Sequence, residues 1–194
     1  MVMKSKLLNL VSVNSLLLSA LFFAGNATGQ ELILESAKLG PTNQYGAGVV
    51  INTSQHIGVR FHLERDTLIT GIGGHVWVEN FPWAGLFNAT IVRLPNQSAF
   101  PAGDPFTEQE VVYSQLCTPT TLLSQDYIFP ASAELSAGHY ALLFGGVASN
   151  AAMPETDLPL RNPSFIAWNS NGWFELPKRN HPAYRFTLYG LPLP

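Results

Sequence analysis

Prolines and glycines cut this chain into runs too short for ordinary helices, and many of those runs alternate apolar with polar residues. All 14 Pro, and all but Gly25 and Gly29 of the 16 Gly, lie beyond residue 29. In Ile57-Gly-Val-Arg-Phe-His-Leu63, Val59, Phe61 and Leu63 point one way and Arg60 and His62 the other, which is the two-residue period of a half-buried strand. Tyr184-Arg-Phe-Thr-Leu-Tyr189 repeats the pattern, and His139-Tyr-Ala-Leu-Leu-Phe144 is apolar on both faces, as a central strand is. Further strands are predicted over 32–38, 49–52, 68–78, 86–94, 110–118, 127–129, 164–168 and 173–176. The last two flank Asn169-Ser-Asn-Gly172, where Asn171-Gly172 is a strong hairpin signal because both residues tolerate positive φ. About ten short strands separated by turn signals predict an all-β fold, an antiparallel β-sandwich of jelly-roll type. Two longer stretches, 95–107 and 145–163, read as irregular loops, and loops of that length in a compact domain are functional or disordered.

The N-terminus carries the three parts of a secretory signal. Lys4 and Lys6 form a positive start, residues 7–23 are mostly apolar, and small residues follow through Gly29. Ala27 and Gly29 suit the minus-three and minus-one positions, so residues 1–29 are expected to be removed before Gln30; cleavage after Ala27 is the alternative. An uncleaved anchor would need about 20 apolar residues. This stretch is shorter and is interrupted by Asn9, Ser12, Asn14 and Ser15. The expectation is a secreted, extracellular protein whose mature chain, 30–194, is a single domain with no membrane span.

With Lys4 and Lys6 gone, 8 basic residues face 13 acidic ones, and only Lys178 and Arg179 among the basic residues adjoin. That scatter leaves no electrostatic footprint for nucleic acid. Cys117 is the only cysteine, so no intrachain disulfide is available and the domain relies on its core. Cys117 sits in an alternating segment without a neighbouring base, as a small buried hydrophobe does.

Several segments together resemble a known family. They are Leu68-Ile-Thr-Gly-Ile-Gly-Gly-His75, Ala89-Thr-Ile-Val-Arg-Leu94, Ser98-Ala-Phe-Pro-Ala-Gly-Asp-Pro-Phe106, Leu135-Ser-Ala-Gly-His-Tyr-Ala-Leu-Leu-Phe-Gly145, Phe165-Ile-Ala-Trp-Asn169 with Trp173, and Tyr184-Arg-Phe-Thr-Leu-Tyr-Gly190. Across about 57–190 the chain is similar to secreted bacterial β-sandwich proteins that often carry a C-terminal PEP-CTERM sorting signal, close to the choice-of-anchor domains. The resemblance implies an extracellular or envelope-associated sandwich and supplies no catalytic residues. The family's terminal Pro-Glu-Pro motif, apolar helix and basic tail do not occur in this sequence, which closes on Gly190-Leu-Pro-Leu-Pro194, so release rather than surface retention is expected.

Searched for chemistry, the sequence holds no Gly-x-Ser-x-Gly elbow, no His-Glu-x-x-His and no phosphate loop, and no cofactor motif. His56, His62, His75, His139 and His181 have no metal-ligand spacing; His75 and His139 read as outward or satisfied strand residues. Glu79, Glu155, Asp157 and Glu175 lie in or beside loops, where a glycosidase would need two carboxylates about 5 to 9 Å apart. Asp104, Glu155 and Asp157 lack a calcium-loop spacing. Asn52, Asn88 and Asn96 open glycosylation tripeptides, read as chance matches on the bacterial resemblance. The aromatics are more suggestive. Trp83 follows Phe81-Pro82 in a loop, and Trp168 and Trp173 flank the Asn169–Gly172 turn. Rings stack on the apolar face of a sugar while Asn amides bond its hydroxyls. The alternative is cross-strand packing, favoured for Trp77 and Trp168 and evenly matched with binding for Trp83 and Trp173. Trp83, Trp173, Asn169 and Asn171 are therefore the candidate ligand-binding residues. The expected function is a secreted, non-catalytic binding or matrix module whose ligand is extracellular polysaccharide. The alternatives are a secreted hydrolase using loop carboxylates and a structural envelope protein.

Overall fold

The computed structural model describes residues 30–38, 48–78, 85–120, 124–148, 151–156, 164–176 and 183–194. Residues 1–29, read above as an export signal, and Glu79, Trp83, Asp157 and His181, lie outside the described residues. Within them are twelve strands: β1 (Glu31–Glu35), β2 (Gly48–Ile51), β3 (His56–Leu63), β4 (Thr67–Val78), β5 (Phe87–Leu94), β6 (Val111–Cys117), β7 (Gln125–Leu135), β8 (Gly138–Gly145), β9 (Ala151–Pro154), β10 (Ser164–Asn169), β11 (Gly172–Glu175) and β12 (Phe186–Pro192). A single 3₁₀ turn, Glu108–Glu110, precedes β6. None of the described residues belongs to a helix long and apolar enough to cross a membrane.

The strands form two antiparallel sheets of six. In the first, β4 pairs with β7 along one edge, while β12 and β9 pair with its other edge end to end; β2 lies beyond β9 and β1 beyond β12. The second runs β11-β10-β3-β8-β5-β6. The order β2-β9-β4-β7 facing β3-β8-β5-β6 is the double Greek key of a jelly roll, with β1 and β12 added to one sheet and β10 and β11 to the other.

Two features depart from the sequence expectation of about ten strands. β9 lies inside the stretch read as a loop: Ala151-Ala-Met-Pro154 has no alternation because all four residues are buried. β7 runs eight residues further than 127–129. Pro130 is admitted at its middle because β7 is an edge strand, and it sits opposite Gly71 where the register slips.

Alternation places the core between the sheets. Ile57, Val59, Phe61 and Leu63 of β3, Tyr140, Leu142 and Phe144 of β8, and Phe87 and Ile91 of β5 meet Ile69, Ile72 and Val76 of β4, Met153 of β9, and Phe186 and Leu188 of β12. Rings interlock across the interface, with Phe144 4.7 Å from Phe87 and 4.9 Å from Phe186 between centroids. Ser36, just after β1, is buried and accepts from Phe186 N at 2.7 Å while donating to Tyr184 O at 2.6 Å, so the N-terminal segment is fastened to the C-terminal strand. Cys117 is fully buried, and desolvation pushes its thiol up to about 12. The β10–β11 hairpin pairs Asn169 with Gly172 across Ser170 and Asn171, and Gly172 takes φ +99°, where the absence of a Cβ matters.

His56 is buried against the ring edges of Phe106 and Trp168, and desolvation lowers its pKa from 6.5 to about 4. The unfolded chain takes up this proton near pH 6.5 and the folded one only near pH 4, so stability must fall as pH drops through that window and level off below it. Urea titrations between pH 7 and 4 are expected to show a loss of at most about 3 kcal/mol from this group, which His56→Leu removes.

Candidate functional site

Part of the outward face of the second sheet is covered. Val92, Leu94, Ala141, Leu143 and Ile166 form a second buried cluster, covered by Ala99, Phe106, Val111 and Trp173. The cover is the irregular segment 95–107, which crosses the sheet face. Its own turns are held locally. Asn96 Oδ1 accepts from Ser98 N at 3.0 Å and Ser98 Oγ at 2.9 Å. The Glu110 carboxylate accepts from Ala102 N at 2.9 Å and from Thr107 N at 3.1 Å.

Arg60 ties this cover to the sheet. It lies on the outward face of β3, as alternation requires, yet its side chain is only 1 % exposed. Nε donates to Ala99 O at 2.8 Å and Nη2 to Ser98 O at 2.9 Å. Nη1 donates to Ser164 Oγ at 2.8 Å and to Glu175 Oε1 at 2.6 Å. The guanidinium also lies 4.6 Å from the centroid of Phe100, whose ring stacks at 6.5 Å on Trp173. Trp173 in turn donates its indole N–H to Pro105 O at 2.5 Å. Buried charge is tolerated only when such partners are present, and a planar fork with five donors can satisfy four acceptors at once.

Beside this anchor the surface opens into a cleft of about 630 Å³ lined by Arg60, Asn96, Gln97, Ser98, His139, Ser164 and Glu175. Amides, hydroxyls, a carboxylate and an imidazole converge there. His139 stacks at 4.4 Å on His62, its cross-strand partner, and its Nδ1 is buried with no hydrogen-bond partner among the described residues.

A second polar group lies on the outward face of the first sheet. His75 Nδ1 is 2.7 Å from Asp126 Oδ1, and His75 Nε2 is 2.8 Å from Ser124 Oγ. Asp126 Oδ2 accepts from Arg185 Nε at 3.0 Å, and Arg185 Nη1 donates to Glu35 and, at 2.6 Å, to Ala37 O. Burial works to raise the Asp126 pKa, but the His75 hydrogen bond and the Arg185 charge outweigh it and hold the carboxyl below its usual range.

The sequence candidates are divided between these places. Trp173 is not among the residues lining the cleft; its contacts with Phe100 and Pro105 make it an anchor of the cover. Asn169 Oδ1 accepts from Asn171 N at 2.8 Å, so this pair shapes the hairpin tip. Trp168 is buried against His56. Of the four loop carboxylates, Glu175 lines the cleft and Glu155 does not. Sequence reasoning missed Asn96, Gln97, Ser98 and Ser164, and assigned Arg60 only a direction. It also missed Ser124, Asp126, Glu35 and Arg185. Carrying the alternation of β7 back from Ile128 would have placed Asp126 and Ser124 on one face.

No family model and no curated protein matches this chain.

Trp173→Ala removes both the ring stack and the indole hydrogen bond that hold 95–107. Limited proteolysis should then cut first within 95–107, and unfolding should shift by about 2 to 4 kcal/mol. A digestion pattern unchanged from wild type would refute the anchoring role.

Proposed function

We propose that this chain is an exported jelly-roll module that binds polysaccharide in the cleft over β3, β10 and β11. The observation that carries the reading is the convergence of Asn96, Gln97, Ser98, Ser164, His139 and Glu175 on one cleft beside an aromatic surface. A sugar presents hydroxyls that both donate and accept, and these side chains offer both roles. Phe100, 37 % exposed and packed on Arg60, adds apolar surface beside these polar groups. The groups need no induced order, since Arg60 and Glu110 already hold the segment that carries three of them. Export is supported by the charged, apolar and small-residue order of 1–29. The resemblance to PEP-CTERM and choice-of-anchor proteins, which implies an extracellular or envelope-associated sandwich, supports it also.

Affinity electrophoresis on a panel of plant, bacterial and chitinous polysaccharides tests the reading. At least one should retard the protein. Gln97→Ala, an exposed side chain of the cleft, should weaken retardation several-fold with stability changed by less than about 0.5 kcal/mol. No retardation on any polysaccharide, or retardation unchanged by both Gln97→Ala and Glu175→Gln, would contradict it.

A further inference from the structure

We propose that Ser124, His75 and Asp126 form an acyl-transfer site on the first sheet, acting on carboxylic esters. This goes beyond the binding reading, lies on the other sheet and does not depend on the cleft. It also departs from the expectation, drawn from sequence motifs, of a chain without catalysis.

The constellation is a product of strand pairing. His75 of β4 and Asp126 of β7 are direct cross-strand partners, so their side chains share a face. The next pair is Val76 with Gln125. Ser124 immediately precedes β7, two residues from Asp126, and its hydroxyl reaches His75 on the same face. Three residues far apart in a motif search thus fall within one side chain's reach.

The geometry assigns the roles. Asp126 holds Nδ1 at 2.7 Å and, being a carboxylate, accepts from it, so Nδ1 carries the proton. Nε2 is then an acceptor, and the hydroxyl 2.8 Å away donates to it. Arg185 fixes the other carboxylate oxygen, which orients Asp126 as a positioning residue for the imidazole. His75 has a side chain only 4 % exposed and Ser124 is half-buried, so the base is shielded from solvent. Trp77 is the next residue of β4 on the face of His75.

In the reaction, Ser124 Oγ bonds to the ester carbonyl carbon as its proton passes to His75 Nε2, and the carbonyl π pair moves onto oxygen. The pair returns, the bond to the alkoxy oxygen breaks, and Nε2 protonates the departing alcohol. Water then attacks the acyl-serine with Nε2 as base. The acid leaves and the proton returns to Oγ, so ester and water become acid and alcohol.

The test uses the full-length chain, a fluorophosphonate probe and p-nitrophenyl acetate, with folding of each variant checked by circular dichroism. The expected result is one adduct per chain, mapped to Ser124, with ester turnover above buffer. Ser124→Ala, a small change at a half-exposed position, should fold and lose both. His75→Gln should label at least about 100-fold more slowly. Folded wild-type protein that takes no label at Ser124, or a folded His75→Gln that labels at the wild-type rate, would overturn the proposal.

Discussion

The fold depends on the ring-filled interface between its two sheets. With a single cysteine, the chain has no intrachain disulfide to offset a weak core. Phe87, Phe144, Phe165 and Phe186 supply the contacts instead, each within 6.4 Å of another of the four between ring centroids. Truncating a ring of this kind costs about 3 to 5 kcal/mol, a large share of a domain's net stability. Because the interior is spent on packing, polar chemistry is carried on the outward faces, and the two groups described occupy one face each.

Both groups are organised by an arginine. Arg60 and Arg185 each gather a backbone carbonyl and a carboxylate from segments distant in the chain. Arg60 joins β3 to the 95–107 segment and to β11; Arg185 joins the approach to β12 with β7 and the end of β1. In each case a rigid guanidinium fixes loop or edge elements onto a face that hydrophobic packing alone leaves loosely specified. The cost of desolvating the charge makes the arrangement all-or-none: losing one partner leaves a buried charge only partly satisfied.

Eleven of the twelve strands were legible, because alternation is a local property. The exception, β9, is short and buried on both faces, between β2 and β4, so it lacks any period to detect. The candidate sites were less legible for a related reason. Arg60 could be assigned its face from Val59 and Phe61, but its burial comes from a segment almost forty residues away. The pairing of His75 with Asp126 depends on a register between strands, set partly by the slip opposite Gly71 that no local pattern reveals. Asn171 and Gly172 signalled their turn correctly, and within that turn the Asn169 side chain accepts from the Asn171 backbone N–H.

The central functional claim is that the cleft beside Arg60 receives polysaccharide, and the direct measurement is where a ligand touches the protein. Backbone-amide NMR of the full chain, titrated with cello-, xylo- and chito-oligosaccharides, provides it. The account predicts shifts concentrated at residues 96–98 and at His139, Ser164 and Glu175, with the inter-sheet core unmoved. Shifts absent for every oligosaccharide, or confined to the opposite sheet, would contradict it.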